Sequence, residues 1–309
     1  MVTRMGHTSL RVPDLDAAVD FRRDVIGMVE TERTAGAAYL TCNERHHELM
    51  LIQDPVRRGY DHIGLEVADA AALEQLKRTV TSAGGRVIGD IYDGEPGIDR
   101  ALRVQGPGGH VFKLFCGMET GQVLDPGDRP IKFEHASVKV RSMRQMERFL
   151  EKGLGFRFSD RTGPYAAWWH CDDDHHGMAL VVSPRPELAH YCYALPDLNA
   201  EGRVADRLRD LRGRRIVWGP VRHVAGHNLS MYLHDNDGAL IELSADLAHM
   251  TPEEGYTPRV LPATTPLSQW DGRLPTLRFL LTGFPVVAPE DGKPAYASST
   301  GRRAATATR

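Results

Sequence analysis

Glu134-His135-Ala136-Ser137-Val138-Lys139-Val140 is the stretch on which the fold of this chain turns. Its period-two alternation sets His135, Ser137 and Lys139 on one face of a strand and Ala136, Val138 and Val140 on the other. A near copy, His7-Thr8-Ser9-Leu10-Arg11-Val12, opens the chain. His62 follows His7 by 55 residues, and His190 follows His135 by the same 55. Lys113 lies 51 residues beyond His62, and Glu242 lies 52 beyond His190. One unit is used twice, and a carboxylate stands in one copy where a lysine stands in the other.

Further pairs keep the same offset. Phe21 and Phe149 each follow the opening histidine by 14 residues, and Gly27 matches Gly155 at 128. Cys42 with His46-His47 is echoed by Cys171 with His175-His176 at 129. Asp14 is placed to cap a helix through about Val25, and Gly27 to end it in the left-handed region. Residues 69–83 read as a second helix, ended by Gly84-Gly85, and 142–153 and 199–212 as their counterparts. Strands are expected around 38–41, 48–53, 62–67, 101–104 and 110–115. Asp235-Asn236-Asp237-Gly238 reads as a tight turn between the strands of Tyr232 and Glu242. Repeats this long predict an α+β protein of two tandem duplicated domains, each a sheet of paired βαβββ modules with helices outside. The expected division is 1–124, 125–250 and a C-terminal extension and tail over 251–309, where the pattern gives way to Pro, Thr and Gly.

The 309 residues suit two domains of ordinary size. A net charge of -3 gives no basic footprint, so no nucleic-acid partner is expected. No apolar run approaches the roughly 18 residues of a membrane span, and no secretory leader is read at the N-terminus. The four cysteines fit neither a disulfide framework nor a zinc motif, which points to the reducing cytoplasm.

If His135, His190 and Glu242 meet, they form a facial two-histidine, one-carboxylate site. Two neutral imidazoles and one carboxylate leave three adjacent positions on a divalent Fe(II) for substrate and O2, and the same set suits Mn(II). In the first half a protonated lysine has no lone pair to offer. Lys113 therefore disarms that site, and His7 and His62 are expected to be relics filling it.

Several motifs carry a resemblance over about residues 5–250. They are His135-x-Ser137-x-Lys139-Val140, Leu154-Gly155-Phe156-Arg157-x-Ser159-Asp160 and His175-His176-x-x-Ala179-Leu180. Leu188-x-His190-x-x-Tyr193, Trp218-Gly219-Pro220-x-Arg222-His223, Tyr232 and Ile241-Glu242-Leu243 complete the set. The chain resembles the type I extradiol (catechol 2,3-) dioxygenases of the vicinal oxygen chelate superfamily, also called the glyoxalase, bleomycin resistance and dioxygenase fold. The resemblance implies His135, His190 and Glu242 as ligands of Fe(II) or Mn(II). It implies His176 as an acid–base histidine, with His175 in support, and His223 and Tyr232 as partners of substrate. The activity implied is cleavage of catechol, or an alkyl- or aryl-substituted catechol, next to the diol. Both atoms of O2 enter a hydroxymuconic semialdehyde-type product, and the implied assembly is a homo-oligomer, a homotetramer in the family. Trp218 stands where relatives acting on acetate-bearing catechols carry an arginine, which favours an apolar ring substituent. Ala225-Gly226 departs from the Asn-Asp of some relatives. The rival readings are an isomerase or thiol transferase of the same fold, and a ligand-binding protein without a metal.

Overall fold

A computed structural model describes residues 1–121, 129–209, 211, 216–270 and 275–289. The first sheet contains β1 (Val2–Val12), β2 (Val29–Arg33), β3 (Ala37–Thr41), β4 (Leu49–Gln53), β5 (Gly59–Val67), β6 (Arg86–Glu95), β7 (Ile98–Gln105) and β8 (Val111–Met118). The second contains β9 (Lys132–Val140), β10 (Arg157–Thr162), β11 (Ala166–His170), β12 (Met178–Val182) and β13 (Glu187–Ala194). It continues with β14 (Ile216–Arg222), β15 (Leu229–His234), β16 (Leu240–Ala245), β17 (Arg259–Leu261) and β18 (Phe284–Pro285). The helices are α1 (Leu15–Phe21), α2 (Ala70–Ser82), α3 (Met143–Arg148), α4 (Leu198–Arg209) and α5 (Leu277–Leu281).

Strand order makes the duplication explicit. The first sheet runs β6-β7-β8-β5-β1-β4-β3-β2, and the second runs β14-β15-β16-β13-β9-β12-β11-β10 before adding β17. In both, two βαβββ modules meet through an antiparallel central pair, β1 with β5 and β9 with β13. Even the residue pairing repeats: Ser9 faces His62 as Ser137 faces His190, and Gly64 faces Lys113 as Cys192 faces Glu242.

Local chemistry explains the helices. Asp14, Asp69 and Ser142 each accept from the backbone N–H three residues on, as N-caps do. α1 and α3 then each widen into a π-helical turn, Arg22–Ile26 and Phe149–Leu154, which the sequence had suggested as ordinary helix. Gly27 and Gly155, both at φ 90°, end those turns in the left-handed region, where a side chain is strained.

The halves interlock through matching contacts. Thr79 Oγ1 of α2 donates to the Gly153 carbonyl at 2.8 Å, and Arg207 Nε of α4 donates to the Val25 carbonyl at 2.7 Å. Both pairs sit at the same offset of 128. Buried apolar residues of both sheets and their helices form one continuous core. Across it the buried guanidinium of Arg22 meets Asp235, Tyr191 Oη at 3.1 Å and Asp237 at 3.5 Å. The expected turn at 235–238 is thus also a clamp: Asp235 Oδ1 accepts from the N–H groups of Asp237 and Ala239, and Asn236 donates to the Ala17 carbonyl at 3.1 Å.

Three expectations need correction or placement. β2 and β6, absent from the strands expected above, are strands. They lie at a sheet edge and carry charge or glycine in place of apolar alternation. The extension after residue 250 is not a patternless wrap: β17 adds to β10, β18 pairs with β13, and α5 packs near β14. The expected boundary at 124, the end of the helix at 212 and the tail around Gly301-Arg302-Arg303 lie outside the described residues. No described helix is long and apolar enough to cross a membrane.

Removing one member of a buried ion cluster leaves the other charges without a counter-ion. Arg22→Met should therefore lower unfolding free energy by about 3–5 kcal/mol, with Asp235→Asn in the same chain recovering part of it. Urea unfolding monitored by circular dichroism gives the number; a loss under about 1 kcal/mol would mean the halves hold without this cluster.

Candidate metal centre

Three neighbouring strands supply the site. His135 stands on β9, His190 on β13 and Glu242 on β16, and the ladder sets Cys192 opposite both His135 and Glu242. The alternating partners Ala136, Val138, Ile241 and Leu243 turn into the core. His135 Nε2 and His190 Nε2 each lie 3.0 Å from Glu242 Oε2, and the three ligand atoms fall within 4.8 Å of one another. The side chains of His135 and Glu242 are 1 % exposed and that of His190 is 12 % exposed, so the site opens on the His190 side.

The surroundings hold these atoms in place. Glu242 Oε1 accepts from Ser230 Oγ at 2.6 Å and Asn228 Nδ2 at 3.1 Å, leaving Oε2 for the imidazoles. His135 Nδ1 lies 3.0 Å from Glu134 Oε2, a contact that fixes the ring as outer partners do around metals. Burial alone would lower the pKa of His135, but Glu242 and Glu134 outweigh it and raise it to about 9. His190 shows the opposite sign: burial prevails, since it faces only Glu242 and is repelled by His135. Glu242 stays ionised in spite of burial, because both imidazoles favour its charge. The buried Glu242 carboxylate thus draws positive charge onto its imidazole partners, a demand that a divalent cation would also meet. Two imidazole nitrogens and one carboxylate oxygen suit Fe(II) or Mn(II).

The remaining expected residues gather on the same side. The His176 ring is 4.3 Å from that of His135, and its Nδ1 is 3.0 Å from His175 Nδ1. Burial and then the neighbouring His135 push the pKa of His176 well below its usual value, so it is neutral. His223 Nδ1 lies 3.1 Å from the Leu267 carbonyl and must donate to it, which leaves Nε2 to accept from Tyr232 Oη at 2.8 Å. His223 Nε2 is 4.0 Å from Glu242 Oε1, and the Tyr232 ring is 5.4 Å from His190. Burial followed by Glu242 holds the Tyr232 phenol far above its usual pKa.

An aromatic wall flanks this group. Trp218 stacks on Tyr232 at 5.4 Å and 20°, and Phe279 of α5 meets Tyr232 edge-on at 4.8 Å. Sequence reasoning found Trp218 but neither Phe279 nor the braces Asn228, Ser230 and Glu134. The alternation Asn228-x-Ser230-x-Tyr232 was a signal for two of these; Phe279, in a segment without pattern, had none. Of the adjacent tryptophans on β11, Trp169 is buried and donates to Glu151, whereas the Trp168 ring lies 6.4 Å from that of His176. Gly226, one of the departures from related chains, lies where a Cβ would stand 3.0 Å from His175 Nδ1.

The first half closes on itself. His7 Nε2 is 3.1 Å from His62 Nε2, and Lys113 forms a buried ion pair with Glu95. His62 Nδ1 is 2.7 Å from Asp61, yet burial and then Lys113 hold His62 down to about 3. Among the described residues no trio of metal-ligating groups converges in this half.

Comparison with known proteins agrees with this layout. The model of the Glyoxalase/Bleomycin resistance protein/Dioxygenase superfamily matches residues 4–114 and 132–243. Biphenyl-2,3-diol 1,2-dioxygenase of Paraburkholderia xenovorans (strain LB400) is 37% identical over 267 residues, covering 78% of this chain and 87% of that protein. Metapyrocatechase of Pseudomonas sp. (strain CF600) is 27% identical over 259 residues, covering 77% and 84%. The Mn(II)-bound glyoxalase structure from Novosphingobium aromaticivorans superposes with a TM-score of 0.84 at 26% identity, covering 96% of this chain and 99% of that one.

Because the metal-free site holds a proton on His135 up to about pH 9, a binding cation must expel it. Affinity for Mn(II) or Fe(II) should therefore rise by about tenfold per pH unit between roughly 7 and 9 and then level off. The raised pKa also stabilises the metal-free fold below the ordinary histidine value of 6.5, and this contribution fades as pH climbs through about 9. Anaerobic metal titration of the apoprotein at several pH values checks the slope; a flat profile would place the proton elsewhere.

Proposed function

The chain belongs to the Glyoxalase/Bleomycin resistance protein/Dioxygenase superfamily, and from that membership we propose that it is a metal-dependent extradiol dioxygenase whose second half cleaves an apolar-substituted catechol. The observation that carries the reading is the convergence of His135, His190 and Glu242 beside His176 and the His223–Tyr232 pair. His135, His190 and Glu242 hold the metal in this reading, Fe(II) by preference, with Mn(II) the alternative that the same donors accept. When bound, the metal supplies Lewis acidity toward the catechol oxygens and a path for electron density toward O2.

The residues of the chain do the rest. Tyr232 Oη, already donating to His223 Nε2, accepts from a catechol hydroxyl, so the pair draws a proton from substrate. His176, kept neutral by burial, receives or returns a proton on the other side. Trp218, Tyr232, Phe279, Val221 and Leu240 form an apolar cluster that excludes water and receives the ring substituent. The aromatic and aliphatic side chains of that cluster suit an alkyl or aryl substituent. The ring C–C bond next to the diol breaks, both atoms of O2 enter the product, and no external reductant is consumed. The unpaired cysteines accord with a cytoplasmic setting, and the family resemblance with a homo-oligomer.

A second reading, a glyoxalase-type isomerase, has the similarity to the Novosphingobium protein in its favour. One experiment separates the two. The apoprotein is loaded anaerobically with Fe(II) or Mn(II) and given catechol, 3-methylcatechol and biphenyl-2,3-diol. One O2 consumed per yellow product supports the dioxygenase; no oxygen uptake with any of them removes it.

Two variants sharpen the test. Glu242→Gln and His190→Ala should each cost more metal affinity than the roughly 10–100-fold typical of losing a supporting partner, with turnover abolished. Retention of full metal content would sink the ligand assignment. Phe279→Ala should raise KM for biphenyl-2,3-diol by about tenfold, the worth of a lost aromatic contact, and leave KM for catechol within about threefold. Equal effects on both substrates would remove Phe279 from the substituent pocket.

A further inference from the structure

Lys139 stands near the end of β9, buried, on the face that carries His135 and Ser137. Its ammonium donates to Glu187 Oε2 at 3.2 Å and to the Leu280 carbonyl at 3.3 Å. Glu187 faces it directly across the β9–β13 ladder. Leu280 lies in the last turn of α5, where a helix leaves its carbonyls without an internal partner. A lysine side chain is one of the groups that fill such a carbonyl.

The first half carries a cation at the same register with different partners. Arg11, 128 positions before Lys139, meets Asp61 at 2.7 Å and Asp54 at 2.9 Å. In the second half Ala189 takes the place of Asp61 and Ser183 that of Asp54. The backbone confirms the second match: Ser183 N–H donates to the Val140 carbonyl as Asp54 N–H does to that of Val12, each at 2.9 Å. Neither replacement carries a charge to hold a cation. Lys139 instead meets the extension, a segment with no counterpart in the first half.

The residue before Leu280 is Phe279, edge-on to Tyr232 at 4.8 Å and to Trp218 at 5.0 Å. α5 spans five residues, too few to stand as a helix without tertiary anchors. Its leucines add little, since Leu277 is 74% and Leu281 77% exposed. Just beyond it the chain is tied to both halves: Phe284 pairs with Leu188, and Val287 N–H donates to the Tyr60 carbonyl at 2.9 Å. The Lys139 bond to Leu280 extends that tie into α5, next to the ring that reaches the site.

Resting on the dioxygenase reading, we propose that Lys139 is a positioning residue for substrate selection, which holds the Leu280 carbonyl and thereby sets Phe279 in the wall that receives an apolar ring substituent. Without the ammonium, the Leu280 carbonyl turns to water and α5 gains freedom. Phe279 then leaves the wall for part of the time. An unsubstituted catechol does not reach that wall and is handled as before.

The test joins hydrogen exchange and kinetics on the Mn(II)-loaded full chain. In α5 the N–H groups of Phe279 and Leu280 bond to Thr276, and that of Thr282 to Arg278. These amides should exchange about tenfold faster in Lys139→Met than in wild type, and Lys139→Arg should restore the slow rate. Lys139→Met should raise KM for biphenyl-2,3-diol about tenfold and leave kcat and KM for catechol within about threefold. Added to Phe279→Ala it should raise KM no further, since the lysine acts through that ring. Lys139→Met/Glu187→Gln, which leaves no unpaired carboxylate, gives the same readouts if the single variant does not fold. Wild-type α5 amides exchanging as fast as in an unstructured peptide overturn the proposal without any variant. Equal exchange in wild type and Lys139→Met, or an equal rise in KM for both substrates, overturns it as well. Exchange needs no turnover; if the wild type cleaved no catechol, the functional reading would fall while exchange still decided whether Lys139 holds α5.

Discussion

One oxygen of Glu242 faces two imidazoles inside the protein, and the second half is arranged to make that tolerable. A buried carboxylate is costly unless it is paired and its lone pairs are filled. His135 and His190 supply the pairing, and Ser230 and Asn228 fill the other oxygen. Because the three groups come from adjacent strands, the sheet itself sets their separation. Slipping β16 by one residue would turn Glu242 into the core and Ile241 into the site, so the apolar faces that fold the sheet also guard the site's geometry.

The first half shows what the same ladder becomes without that carboxylate. Lys113 occupies the register position of Glu242 and turns to Glu95, and His7 leans on His62. The imidazole of His7 fills the space in front of Gly64, where a Cβ would lie 2.3 Å from the ring. The matching position of the second half, Cys192, keeps its side chain beside Glu134 and His135. A packed half thus supports an open one through matching helix contacts and the Arg22 cluster.

The extension after residue 250 is where the halves stop being copies. α5 delivers Phe279 to the wall around Tyr232, and the segment of Tyr256 and Arg259 covers Asp160. Both additions fall on one half only. They add to one copy of the module what the other lacks, an aromatic wall beside the triad and a cover over Asp160.

Much of this was legible in the chain. The equal spacings of His7 to His62 and His135 to His190, with period-two alternation around each, determined the duplicated sheets, the faces of the strands and the convergence of His135, His190 and Glu242. Capping residues and Gly27 and Gly155 marked the helices for the same local reason, since such choices depend on near neighbours. The edge strands β2 and β6 were hidden, because pairing on one side demands little of composition. The role of Phe279, the brace on Asp160 and the turn of Asp235 toward Arg22 were decided only by tertiary structure. Each joins residues 47 to 213 positions apart, in segments whose own sequence carries no periodic signal of the partner they meet. Local pattern fixes which way a side chain points, and only the folded chain fixes what it points at.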